Sequence, residues 1–185
     1  MIGSRPLTNE ETQTVLSKLN LRDRALYILM LYTGYRVKEA LSLKVSDVVS
    51  LDGSPLDRIT VERRSMKGKT SSRTVLNHPA VKAIVLELIK EEGLAMDSFL
   101  FKSRKGPNKA ISPIQAWKRL KAAMVDLDGK TGCHCARKTF ASKIYVLLGK
   151  DLVKTAKALG HRNINSTVSY ISFETQELDT AVMAL

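Results

Sequence analysis

The chain has 185 residues, enough for one ordinary hydrophobic core, and its 44% hydrophobic and 26% charged residues are close to the usual mix of a soluble globular domain. Lys and Arg number 30 against 18 Asp and Glu, a surplus of +12 with an isoelectric point near 9.8. That surplus favours a polyanionic partner, because each phosphate neutralised by Lys or Arg releases a condensed counterion.

In chain order, Thr8-Asn9-Glu10-Glu11 is a capping box and predicts a helix running to about Asn20. Leu21 to Thr33 carries apolar Leu26, Leu29, Met30 and Tyr32 and reads as a second helix, stopped by Gly34. Arg36 to Leu43 reads as a third, short one. The character then changes. Asp52-Gly53-Ser54-Pro55 is a turn, and Ile59–Val61 and Arg73–Leu76 read as strands. The basic stretch Met66-Lys67-Gly68-Lys69-Thr70-Ser71-Ser72 between them is a hairpin connection. Pro79 opens a helix with Val81, Ile84, Val85, Leu88 and Ile89 on one face, ended by Gly93. Ser112-Pro113 opens another through Trp117, Leu120 and Met124. Further helices are predicted at about Cys135–Leu148, Asp151–Leu159 with Gly160 as its stop, and Ser166–Phe173. Thr175 caps a last helix ending in Ala181-Val182-Met183-Ala184-Leu185. The fold class read from this pattern is mainly α with a small antiparallel β-sheet.

No apolar run approaches the roughly 20 residues that cross a bilayer. Met1 to Glu10 also lacks the apolar stretch of a secretory signal. Cys133 and Cys135 stand too close in sequence for an unstrained disulfide, and with His134 they suggest zinc. A zinc site of that kind lacks its second ligand pair. A reducing cytoplasm fits this cysteine usage.

Polar residues cluster in four segments. Gly34 ends one helix just before Arg36 opens the next, which points that arginine out of a helix junction. His134 and Arg137 stand three apart, on one helical face. Tyr170 follows His161 by nine positions, behind a Gly160-His161 step. The basic hairpin supplies Lys67 and Lys69. Taken singly, these are a surface arginine, solvated helix side chains, a core tyrosine and a phosphate-contacting loop. Taken together they suit one reaction, the cutting of a DNA phosphodiester by a side chain. That reaction needs a nucleophile, cations for the developing charge and an acid for the leaving oxygen. Arginine suits the second role, since its planar fork donates paired hydrogen bonds and stays protonated.

The segments resemble those of the tyrosine recombinases, the phage integrase family. Thr33-Gly34-Tyr35-Arg36-Val37-Lys38-Glu39 is similar to TG-x-R-x-x-E. His134-Cys135-Ala136-Arg137-Lys138-Thr139-Phe140-Ala141 is similar to H-x-L-R-(H/K)-T-F-A, with Ala136 in place of the leucine. Leu159-Gly160-His161 through Thr167 to Tyr170 resembles L-G-H-x-x-I-x-x-T-x-x-Y. Lys69-Thr70 before Arg73 and Val75 matches K-T-x-x-(R/K)-x-(V/I) better than Lys67 does. Ser103 to Gly106 and Ile111 to Trp117 resemble the loop and helix that precede the histidine–arginine motif. The matches run from about Arg5 to Phe173.

The resemblance implies a single catalytic domain over residues 1–185, with a core at about 6–173 and a tail helix at 174–185. The family's usual N-terminal core-binding domain is expected to be absent. The implied catalytic residues are Arg36, Lys69, His134, Arg137, His161 and Tyr170. Tyr170 is the nucleophile, Arg36, Arg137 and His161 bind the phosphate, and Glu39 supports Arg36. His134 assists tyrosine proton transfer or orients the phosphate, and Lys69 protonates the leaving 5′ oxygen. A free tyrosine, with a pKa of about 10, attacks poorly unless flanking cations favour the phenolate. No metal or other cofactor is implied.

The expected partner is double-stranded DNA. The expected assembly is a homotetramer on DNA and a monomer when free, with no membrane contact and a cytoplasmic, nucleoid-associated location in a bacterium or phage-infected cell. The tail either docks on a neighbouring protomer or packs on its own core. The implied function is site-specific recombination through a 3′-phosphotyrosyl intermediate, in integration or excision of a phage or mobile element. The alternatives are DNA inversion or plasmid-dimer resolution by a short recombinase, supercoil relaxation by a type IB topoisomerase, and a catalytically silent DNA-binding regulator.

Overall fold

The computed structural model describes residues 4–66, 71–104, 106–129, 131–168, 170–171 and 183. The chain forms two compact units, Met1–Phe140 and Ala141–Leu185, and the boundary falls inside one helix.

The first unit opens with α1 (Asn9–Lys18), whose capping box is complete. Glu11 N–H donates to Thr8 Oγ1 at 3.1 Å, and Thr8 N–H donates to Glu11 Oε2 at 2.9 Å. The helix stops before Asn20 because Asn20 caps the next one, accepting from Asp23 N–H. That next helix, α2 (Leu21–Thr33), is buried on most of its circumference and packs against α3, α4 and α5. A helix apolar on most sides belongs at the centre of a core. Leu26, Leu29 and Met30 are all but sealed from solvent, each contributing roughly 1.5–3 kcal/mol of burial. Gly34 ends α2 in the left-handed region at φ 63°, and its N–H bonds to Met30 O at 3.0 Å.

The short α3 (Val37–Leu41) follows with Arg36 as its N-cap, so the helix is shorter at both ends than Arg36–Leu43. Strands β1 (Arg58–Val61) and β2 (Arg73–Leu76) pair antiparallel, with Ile59 opposite Val75 and Val61 opposite Arg73. The hairpin lysines Lys67 and Lys69 lie outside the described residues. Helix α4 (Pro79–Glu92) ends in a Schellman arrangement at Gly93, with Leu94 N–H on Ile89 O. Helix α5 (Pro113–Ala122) carries the Ser112–Gln115 capping box and ends before Met124. Helix α6 (Cys133–Leu147) begins two residues earlier than the pattern predicts, which puts His134 in its first turn.

The second unit takes the end of α6, then α7 (Leu152–Leu159) packed on α8 (Asn165–Val168). The helix predicted over Ser166–Phe173 begins one residue earlier and ends at Val168, because the chain turns at Tyr170 and bends at Ile171. Residues 169 and 172–173 and the tail helix from Thr175, apart from Met183, lie outside the described residues. No helix among the described residues is long and apolar enough to cross a membrane.

Candidate active site

The first group of site residues is built around the turn between α2 and α3. Arg36 is partly exposed, with a quarter of its side chain accessible, and Glu39 beside it is buried. Glu39 uses both carboxylate oxygens on Arg36. Oε1 accepts from Arg36 Nη1 at 2.8 Å and Oε2 accepts from the Arg36 backbone N–H at 2.8 Å. The same Oε2 stands 4.0 Å from Arg137 Nη1 on α6. Arg137 in turn donates to Gly34 O. One buried carboxylate therefore holds two guanidinium groups next to the end of α2.

This arrangement depends on the backbone at Gly34. A Cβ there would stand 2.5 Å from Phe140 Cδ1, on a backbone whose φ of +63° already disfavours other residues. Thr33 reinforces the turn, donating its hydroxyl to Leu29 O at 2.6 Å and accepting from Tyr35 N–H at 3.2 Å. The Tyr35 hydroxyl is buried 2.9 Å from both Ile59 O and Arg73 O, and burial pushes its pKa above the ordinary value of 10.0. A neutral Tyr35 can keep its proton on those strand carbonyls.

His134 and Arg137 share a helix but not an environment, since His134 is exposed whereas Arg137 is wholly buried. Of the two guanidinium groups, only that of Arg36 is partly open to solvent. The adjacent thiols are buried. Burial pushes Cys133 up to about 12 and raises Cys135 as well, which disfavours the thiolate that zinc binding needs.

The second group lies in the second unit. Gly160 closes α7 with a Schellman motif, its own N–H on Lys157 O at 3.0 Å and His161 N–H on Ala156 O at 2.9 Å. His161 is thereby delivered directly off the helix end. Its Nδ1 lies 2.9 Å from Thr167 Oγ1, and Thr167 is fully buried. This contact fixes the ring plane whichever partner donates. Tyr170 follows α8 through a turn, its N–H on Thr167 O at 2.8 Å. The rings of His161 and Tyr170 meet edge to face, with centroids 5.3 Å apart and planes at 66°.

Of the six predicted site residues, Arg36 and Arg137 thus meet through Glu39, and His161 and Tyr170 meet directly. His134 sits one helical turn from Arg137, and Lys69 lies outside the described residues. Two contributors escape the motif reading. Thr167 is present in the motif but its role as the His161 partner needs the fold. Arg73 enters the sequence reading as a strand residue and as the basic position of the hairpin motif, with no role of its own, yet its Nη2 donates to Thr33 O at 2.7 Å. Its pairing opposite buried Val61 was the available signal, because it turns a charged residue inward.

Residues 6–177 match the model of the phage integrase family. The tyrosine recombinase XerC of Caldanaerobacter subterraneus subsp. tengcongensis is 28% identical over 183 residues, 95% of this chain and 49% of that protein. XerH of Campylobacter jejuni is 27% identical over 168 residues, 87% of this chain and 44% of that protein. The chain therefore spans about half the length of these curated relatives. Among solved structures, XerH bound to palindromic difH substrate in a post-cleavage complex superposes with a TM-score of 0.74 at 25% identity, covering 96% of this chain and 51% of that one. The catalytic domain of bacteriophage HP1 integrase shares the fold at a TM-score of 0.60 and 19% identity, covering 97% of this chain and 94% of that one. With its motifs in order on this fold and its family model matched almost end to end, the chain belongs to the phage integrase family.

Proposed function

We propose that the chain carries the strand-cutting and rejoining chemistry of a site-specific DNA recombinase, with Tyr170 as the nucleophile. The Tyr170 oxygen attacks the scissile phosphorus. A phosphorus–oxygen bond to tyrosine forms as the bond to the 5′ oxygen breaks, leaving a 3′-phosphotyrosyl link and a free 5′ hydroxyl. Lys69 supplies the proton that the 5′ oxygen takes up. The tyrosine proton leaves towards His134 or, where His134 instead orients the phosphate, to solvent water. Arg36, Arg137 and His161 carry the charge on the non-bridging oxygens, where fixed donors are worth most. A 5′ hydroxyl from a second strand reverses the step, and the bond energy is kept in the covalent link.

The observation that carries this reading is the pair of guanidinium groups, Arg36 and Arg137, on one buried carboxylate. Such a pair suits a phosphodiester, because each planar guanidinium can donate paired hydrogen bonds to its non-bridging oxygens and stays protonated. The +12 charge supports a duplex DNA substrate, and so does the family of relatives seen on DNA. We assign a cytoplasmic, nucleoid-associated setting, a monomer when free and a tetramer on DNA, in integration or excision of a mobile element.

The test is a pool of nicked DNA duplexes of randomised sequence, built so that the short 5′-hydroxyl fragment diffuses away after cleavage. The chain should form a detergent-resistant protein–DNA adduct, and Tyr170→Phe should form none. No adduct with the unaltered chain, or equal adduct with Tyr170→Phe, overturns the proposal.

A further inference from the structure

Arg73 is a charged side chain in the interior of the first unit, 7% exposed, at the start of β2. Its contacts converge on one place. The guanidinium donates Nη2–H to Thr33 O at 2.7 Å and lies over the Tyr35 ring, 4.9 Å from the ring centroid. Its own backbone carbonyl is 2.9 Å from the Tyr35 hydroxyl. Arg73 therefore grips Thr33-Gly34-Tyr35 by both its side chain and its main chain, and Arg36 is the next residue. The opposite side of the turn is held by Arg137 on Gly34 O.

Burying a guanidinium costs several kcal/mol after relaxation. An apolar residue opposite Val61 would fill the core without that cost, so the residue type calls for another reason. The turn provides one. Thr33 O and Gly34 O belong to the last residue and the cap of α2, where carbonyls have no partner within the helix. Arginines from β2 and α6 take one each. The direction in which Arg36 leaves the turn is set by these two contacts together with Glu39.

From this geometry we infer that Arg73 is a positioning residue for strand cleavage, acting through the Thr33–Tyr35 turn to aim Arg36 at the scissile phosphate. The inference rests on the proposed cleavage function. It assigns Arg73 no contact with DNA. Arg73 also stands four positions after Lys69. The strand that aims the phosphate-binding arginine thus continues from the loop carrying the proposed acid.

The experiment measures single-turnover adduct formation on a nicked duplex recovered from the randomised pool, with DNA affinity measured in parallel. Arg73→Met should slow adduct formation about 100-fold, the cost of a misplacement near 1 Å, while affinity changes less than about threefold. Arg73→Lys keeps a buried cation but loses the planar fork, and it too should be slow. It carries the test if Arg73→Met does not fold. A double-mutant cycle with Arg36→Lys separates aiming from general support. Once Arg36 is altered, Arg73→Met should add less than about threefold, whereas independent effects would multiply. Where the Arg36→Lys background is too slow to read, hydrogen exchange decides. Arg73→Lys should raise exchange in residues 33–39 and leave α4 unchanged. Unaltered rates in both Arg73 variants, multiplicative effects in the cycle, or unchanged exchange at 33–39 would overturn the inference. Failure of the unaltered chain to form any adduct would instead overturn the cleavage proposal.

Discussion

Replacing Glu39 by Gln removes one charge and almost no volume, from a residue only 1% exposed. In the native site Oε1 accepts from Arg36 Nη1 and Oε2 accepts from Arg36 N–H, both at 2.8 Å. Glutamine offers one oxygen and one NH2, so whichever way it is turned, an N–H2 faces an N–H donor. The attraction to Arg137 at 4.0 Å is lost as well, about 4 kcal/mol at an effective dielectric of 20. Solvent screens the partly exposed Arg36, so the losses do not sum. Breaking a buried pair by removing one partner costs about 3–5 kcal/mol, which sets the expected destabilisation. Against a typical domain stability of about 5–15 kcal/mol the change is large but survivable. Urea unfolding followed by the fluorescence of Trp117, the chain's one tryptophan, measures it directly. A change below about 0.5 kcal/mol, the range of ordinary surface substitutions, would refute the reading of Glu39 as the shared counter-ion.

Gly34→Ala should destabilise by at least about 1–2 kcal/mol from the left-handed backbone alone, with the Phe140 contact adding to it, measured in the same urea titration. Thr167→Val keeps the shape but removes the hydroxyl beside His161 Nδ1. It should cost about 1 kcal/mol of stability and slow adduct formation, and an unchanged rate would mean that the ring needs no such restraint. The Arg5 guanidinium, with Thr8 N–H, holds Glu11 down to about 2 from its ordinary 4.5. A depressed carboxyl contributes stability above its unfolded value and loses it as pH falls through the folded one. Stability should therefore drop between about pH 4.5 and 2, and Glu11→Gln should flatten that part of the profile.

Helix ends were the most legible part of the fold, because capping is local chemistry. Thr8, Asn20, Ser112 and Asp151 all cap as their residue types imply, and Gly34, Gly93 and Gly160 all stop helices in left-handed geometry. The errors arose where neighbours compete. Asn20 could not both extend α1 and cap α2, and the start of α6 has no Ser, Thr, Asp or Asn cap to mark it. At the site, order and spacing along the chain pointed to Arg36, Arg137, His161 and Tyr170. Spacing cannot report burial, so the contrast between exposed His134 and sealed Arg137 was invisible. Nor could it reveal that Glu39 serves two arginines, since Arg137 stands far from it along the chain. Arg73 was hidden for the same reason, because its partner Thr33 is brought to it only by the packing of β2 on the end of α2.

The proposed cleavage makes Tyr170 the residue that becomes linked to DNA. The most direct measurement is to trap the adduct, digest protein and DNA, and locate the nucleotide remnant by mass spectrometry. The chain has five tyrosines, so the result discriminates among them. A remnant on Tyr170 alone is the predicted outcome. A remnant on Tyr27, Tyr32, Tyr35 or Tyr145, or on a serine, would contradict it.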